Sequence, residues 1–219
     1  MNTTSNKAAT LIGCLGMLAV CAACVSALTS GFEHWTFEDR RIAMAQRGEL
    51  RSGRMEMVTS AGDVQNPWPG AGRGRIYVVD FIYTRCPSVC QVLGSEYQRM
   101  QDILRVRLPA GVQLLSISFD TRDKVPDLLD YGARFRADPT LWTVAAPRHP
   151  AHTERLLKDF GVVVLPDGSG GYVHNAAIHL VNGEGELVGI FPYEEWEAAI
   201  ESAAHYVGHA ARTSSRGTG

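Results

Sequence analysis

FIYTRCPSVCQ, residues 81–91, joins two different periodicities. Ahead of it, Ile76 to Tyr83 (IYVVDFIY) is rich in β-branched and aromatic residues and reads as a strand buried on both faces. Behind it, from Ser88 to Arg105, the apolar residues Val89, Val92, Leu93, Tyr97, Met100 and Leu104 recur at spacings of three and four, the pattern of an amphipathic helix. Cys86 and Cys90 thus fall where a strand ends and a helix begins. A helix N-terminus presents unpaired N–H groups and a partial positive charge, which favour thiolate over thiol. Pro87 suits the first helical position, and Arg85 adds a nearby cation. Disulfide exchange and metal ligation both use thiolates, so location alone does not choose between them.

The rest of the chain gives the architecture. Val112 to Phe119 reads as a strand, Pro126 to Phe135 as a helix opening on proline, and Trp142 to Ala145 as a short strand. His152 to Phe160 is a helix ended by Gly161. Tyr172 to Val181 and Glu186 to Phe191 form two strands around the hairpin signal Asn182-Gly183-Glu184-Gly185. Tyr193 to about Ala211 closes the chain as a helix, with a disordered tail over 212–219. This order predicts an α/β, thioredoxin-like fold, a central mixed sheet flanked by helices. The expected domain spans 56–211.

At 219 residues and net charge −2, the chain is long enough for one domain plus appendages and carries no electrostatic footprint for nucleic acid. Its first 30 residues are different. Ala8 to Leu28 holds 21 consecutive uncharged positions, about what a helix needs to cross a bilayer. Lys7 lies before it and Glu33, Glu38 and Asp39 after it, so the positive-inside bias places the N-terminus in the cytoplasm and the domain in the periplasm or an equivalent exported space. An uncleaved signal anchor fits the length best. Cleavage after Ala27 and lipidation at Cys14, in Leu11-Ile12-Gly13-Cys14, are the alternatives, and each leaves the body exported. Residues 31–55 read as a juxtamembrane linker.

Of five cysteines, Cys14, Cys21 and Cys24 lie in the apolar segment, leaving Cys86 and Cys90 to the domain. Thioredoxin-type dithiols use a Cys-x-x-Cys spacing, and here one more residue intervenes. Such a pair can turn both sulfurs to one side as a chelate, and it can also close into a disulfide. Soft thiolates favour Cu(I), and an added imidazole also accommodates Cu(II). Tyr172-Val173-His174-Asn175-Ala176-Ala177-Ile178-His179 offers that imidazole, if this strand runs beside the cysteine strand. His174 then stands where thiol oxidoreductases carry a substrate-presenting proline, which favours metal. His179, of opposite parity, reads as a packed strand residue. His205 and His209 are i, i+4 on a solvated helix face, and His34, His149 and His152 show no partners in the sequence.

With CPSVC, the distal His174 and the N-terminal anchor together, the sequence resembles the Sco/SenC family of copper proteins over roughly residues 56 to 200. FIYTRCPSVC is similar to the family's aromatic strand and T-x-C-P-x-x-C. Ser118-Phe119-Asp120 through Pro126 is similar to its S-x-D-P-x-x-D-x-P stretch, and YVHNAAIHLVNGEGELVGIF to its histidine strand and closing hairpin. The resemblance implies one copper per chain, held by Cys86, Cys90 and His174. It implies delivery from a donor protein to the CuA site of the cytochrome c oxidase copper-binding subunit, or alternatively reduction of that subunit's cysteines. Gln91 stands where proline is frequent, Val173 where aspartate is common, and Asn175 where serine or threonine is common. The aspartate would be a hydrogen-bond partner for the imidazole. Asp120 either contributes to the electrostatics of the site or caps the loop after its strand.

Overall fold

The computed structural model describes residues 3–29, 31, 36–70, 74–86, 89–107 and 111–216. It contains two compact units, residues 1–43 and 44–219. In the first, helix α1 (Thr3–Leu28) is uncharged from Thr10 to Leu28 and long and apolar enough to cross a membrane. Helix α2 (Phe37–Gln46) follows, its Thr36 hydroxyl accepting from the Asp39 amide while the Asp39 carboxylate accepts from the Thr36 amide. This reciprocal pair satisfies two donors that a helix start leaves open.

The second unit is built on a seven-stranded sheet. In chain order its strands are β1 (Met57–Thr59), β2 (Val64–Gln65), β3 (Ile76–Ile82), β4 (Val112–Ser118), β5 (Trp142–Pro147), β8 (Ala177–Asn182) and β9 (Leu187–Pro192). Across the sheet they lie as β2-β1-β5-β4-β3-β8-β9. The central β3, β4 and β5 are parallel, and the strands on either side run antiparallel. Because β3, β4 and β5 are laid down in one direction, their crossover helices α3 (Val89–Arg107) and α4 (Val125–Arg134) share a face. There Tyr97 of α3 and Phe135 after α4 both pack on Trp142, and α6 (Trp196–Arg216) joins α3. Helix α5 (Pro150–Phe160) covers the other face, where Phe160 meets Phe81, His179 and Trp68. The mixed sheet flanked by helices is the expected thioredoxin-like architecture.

The segment from Tyr172 to Val181 departs from the single strand expected beside the cysteine strand. It is broken at Asn175 and Ala176. β7 (Tyr172–His174) pairs with β6 (Val164–Pro166) in a separate two-stranded sheet, and only β8 joins β3. Asn175 makes the break: its Oδ1 accepts from the Val163 amide at 2.7 Å, and its Nδ2 donates to the Gly161 carbonyl at 3.1 Å. Those bonds turn the chain out of the main sheet. Other differences are smaller. Residues 44–55 belong to the compact domain, with Ser52 and Met55 buried, and α6 continues to Arg216. Pro87, expected at the first helical position, and His34 lie outside the described residues.

Candidate metal centre

Parallel strands place their following loops at one edge of the sheet, where ligands of open α/β sheets are bound. Cys86 follows β3, the Phe119–Lys124 loop follows β4, and β8 enters from the same edge, so His174 emerges there too. Cys86 is 2% exposed and Cys90 fully buried in the first turn of α3. Both stand as thiols. The Cys90 amide donates to the Cys86 sulfur at 3.4 Å, and Gln91 Nε2 donates to the Cys86 carbonyl at 3.0 Å. Gln91, at a position where proline is frequent, thus fastens the turn that carries the pair. The Tyr131 hydroxyl donates to the Cys90 carbonyl at 3.2 Å.

The electrostatics differ from the sequence expectation of a thiolate stabilised by Arg85. Contact with Cys86 and then burial push the Cys90 thiol well above its usual range. Arg85 turns instead to Asp120 at 3.0 Å and Asp123 at 3.4 Å. Two adjoining buried sulfurs resist ionising together, so the Cys86 contact and burial both hold the Cys90 thiol in its protonated form. Asp120 accepts from the Arg122 amide and guanidinium and from Arg85, which caps the loop after β4. Burial works to raise the Asp120 pKa, but the bonds from Arg122 and Arg85 prevail and hold it down.

His174 is half-buried, its ring edge-on to Phe119 with centroids 5.2 Å apart. Both ring nitrogens are buried and lack a hydrogen-bond partner. A neutral imidazole carries one N–H donor and one acceptor, and here neither is used within the protein, which is uncommon for a buried polar side chain. Burial lowers its pKa, against opposing contributions from the Asn175 backbone and the Cys86 sulfur, and so favours the neutral form. Among the described residues, no three His, Cys, Asp or Glu side chains are drawn into ligand geometry. The thiols and the imidazole share one edge of the sheet without closing on a common centre.

The other histidines separate cleanly. His179, opposite Val79 on the α5 face, packs against Phe81 and Phe160 as expected. His205 and His209 lie 6.4 Å apart, ring to ring, on an exposed face of α6. His149 and His152 meet each other at 5.3 Å, and His149 lies 4.0 Å from Glu56. Val173 is 62% exposed, on the face of β7 away from Tyr172 and His174. An aspartate there would face solvent, so it could not steady the imidazole as expected.

Sequence reasoning passed over Tyr83 and Asp123. Asp123 accepts from the Thr84 amide and hydroxyl and from Ser118 Oγ, at 2.9, 2.8 and 2.6 Å, which ties the loop after β4 to the chain just before Cys86. Asp123 lies one position before the second aspartate of the S-x-D-P-x-x-D-x-P pattern counted from Ser118, so the stretch pointed near it without marking it.

The SCO1/SenC family model matches residues 56–208. An SCO1 protein homolog of Bacillus subtilis is 23% identical over 141 residues, which is 60% of this chain and 72% of that protein. The crystal structure of Arabidopsis thaliana ScoI with copper bound superimposes with a TM-score of 0.60 at 16% identity, covering 72% of this chain and 98% of that one. Bradyrhizobium japonicum ScoI with copper bound gives 0.53 at 25% identity, covering 70% and 99%. With that match across most of the domain, the chain belongs to the SCO1/SenC family, whose members handle copper and serve cytochrome c oxidase assembly.

Proposed function

We propose that this protein is a membrane-anchored copper carrier that delivers copper to the CuA site of cytochrome c oxidase, using Cys86, Cys90 and His174 as ligands. The observation that carries the reading is the half-buried His174 imidazole, whose two nitrogens are buried and unpartnered at the sheet edge that also bears the paired thiols. Binding of Cu(I) replaces the two thiol protons, which leave to solvent, and the cation between the two thiolates offsets one of their two negative charges, leaving the centre at −1. The imidazole adds the nitrogen that lets the same pocket accept Cu(II). Transfer then proceeds by ligand exchange, with the recipient's donors displacing these one at a time. α1 anchors the domain with its N-terminus in the cytoplasm and the site in the periplasm or an equivalent exported space.

A second reading has its own observation. The Cys90 amide donates to the Cys86 sulfur and the two cysteine side chains interact with each other, which supports their serving as the redox dithiol of a thiol–disulfide reductase of the oxidase subunit. His174→Ala in the detergent-solubilised full chain separates the two. Copper delivery collapses and Cu(II) binding weakens by about 10-fold or more if the imidazole is a ligand. A variant that keeps wild-type copper binding while dithiol reduction drives oxidase assembly overturns the carrier reading.

A further inference from the structure

The β6–β7 hairpin carrying His174 is no part of the seven-stranded sheet, so something other than sheet pairing must fix where the imidazole stands. At the start of β7, both backbone polar groups of Tyr172 turn to one atom. Its amide donates to the Tyr83 hydroxyl oxygen at 3.3 Å, and that hydroxyl donates back to its carbonyl at 3.3 Å. A phenol is donor and acceptor at once. Here it takes the place of a neighbouring strand residue, which in an antiparallel pair exchanges both bonds with its opposite number. In the β6–β7 ladder the Asp167 amide donates to the Gly171 carbonyl, so Tyr172, opposite Pro166 one step along, is in a non-hydrogen-bonded pair and turns its amide and carbonyl away from β6. The Tyr83 hydroxyl also neighbours the Cys86 sulfur, and its ring packs edge-on against Tyr172 at 5.3 Å. Tyr83 sits three residues before Cys86, and Tyr172 two residues before His174 on the same face of β7.

We propose that Tyr83 is a positioning residue for the copper centre: its hydroxyl fixes the Tyr172 peptide and thereby sets His174 against the cysteine pair. This rests on the copper-site reading above. Arg122, which donates to the Gly170 carbonyl at 3.0 Å and lies over the Tyr172 ring, is a second tie and keeps the hairpin attached when the first is cut.

Tyr83→Phe in the full chain removes the hydroxyl and keeps the ring. In the copper-free variant, hydrogen–deuterium exchange of the Tyr172 amide accelerates about 5-fold, as loss of one ordinary hydrogen bond gives, while amides in β4 keep their wild-type protection. Cu(II) affinity falls about 10-fold, with an altered imidazole nitrogen hyperfine pattern in the electron paramagnetic resonance spectrum. Cu(I) affinity, set by the thiolates, stays within about 2-fold. A general loss of packing would lower both affinities together, and that outcome overturns the proposal. Wild-type protection at Tyr172 does so as well. Should wild-type protein bind no copper, the carrier reading fails by itself and the amide exchange still decides the role of Tyr83. If Tyr83→Phe does not fold, Gly171→Ala serves instead, because its new Cβ would lie 3.0 Å from the Tyr83 hydroxyl and 2.5 Å from Asp167 Oδ2. The same split between Cu(II) and Cu(I) is expected, and no split overturns the assignment.

Discussion

The ring of His174 stands edge-on to that of Phe119, at 5.2 Å between centroids and 71° between planes. Phe119 is also in ring contact with Tyr83 and Tyr172, so one residue from the end of β4 braces the cysteine strand and the histidine hairpin together.

Phe119→Leu therefore removes three aromatic contacts while leaving an apolar side chain in a buried place. The expected loss of stability is about 1–3 kcal/mol, measured by urea unfolding of the copper-free protein. Cu(II) spectra should change as the imidazole loses its brace, whereas copper stoichiometry should stay at wild type. Unaltered stability and spectra would show that Phe119 merely fills space.

Asp123 predicts a different failure. Its carboxylate is buried and accepts four hydrogen bonds, from the Thr84 amide and hydroxyl, Ser118 Oγ and Arg85. Asp123→Ala strands the first three donors beneath the cysteine loop at a cost of about 3 kcal/mol, read from the unfolding midpoint. Asp123→Asn keeps the shape and most acceptors and should cost less. Equal losses in the two would mean that side-chain volume, not hydrogen bonding, is what matters at this position.

Stability should also depend on pH through Asp80. Both its carboxyl oxygens are buried in β3 without a hydrogen-bond partner. Burial pushes its pKa up to about 7; the nearby Ser116 and Tyr97 hydroxyls restrain that rise without closing a hydrogen bond of ordinary geometry. An unfolded aspartate titrates near ~3.9. Between about pH 4 and pH 7 the folded chain therefore keeps a proton that the unfolded chain releases. The stability present at low pH falls as pH rises, by up to about 1.4 kcal/mol per pH unit, and levels off above about 7. Asp80→Asn should flatten this segment of the curve when both proteins are unfolded in urea at pH 4.5 and pH 8. An unchanged slope would place the titration elsewhere.

These side chains mark what a sequence does and does not display. The β3–α3 junction was legible because a β-rich run and a three-four periodicity meet at Cys86, and the ligand candidates because Cys and His are few and chemically distinctive. β1, β2 and β6 hold two or three residues each, too few for any period to register. The break after His174 was hidden for a related reason. It depends on Asn175 bonding back to residues more than ten positions earlier, and YVHNAAIH reads as one strand until those bonds are known. Tyr83 and Asp123 act across 89 and 39 positions of chain respectively, so nothing near them in the sequence announces their partners.

The outer face of the histidine hairpin supplies the last prediction. Leu165 and Val173 are directly opposite across β6 and β7, and both are more than half exposed, as is Val163 beside them. The other face of β7 turns Tyr172 and His174 inward, so this apolar strip lies one strand thickness from the imidazole. Exposed apolar side chains gathered on a two-stranded sheet add nothing to the core, and in a copper carrier they are suited to contact the recipient while ligands exchange. Leu165→Asp and Val173→Asp should leave stability within about 0.5 kcal/mol of wild type, because neither side chain is packed. Copper content should also be unchanged. Transfer of copper to the oxidase copper-binding subunit, followed by rapid mixing, should slow about 10-fold, the effect of losing one well-placed interface contact. Transfer at the wild-type rate with both substitutions combined would mean that the recipient approaches from the cysteine side of the site instead.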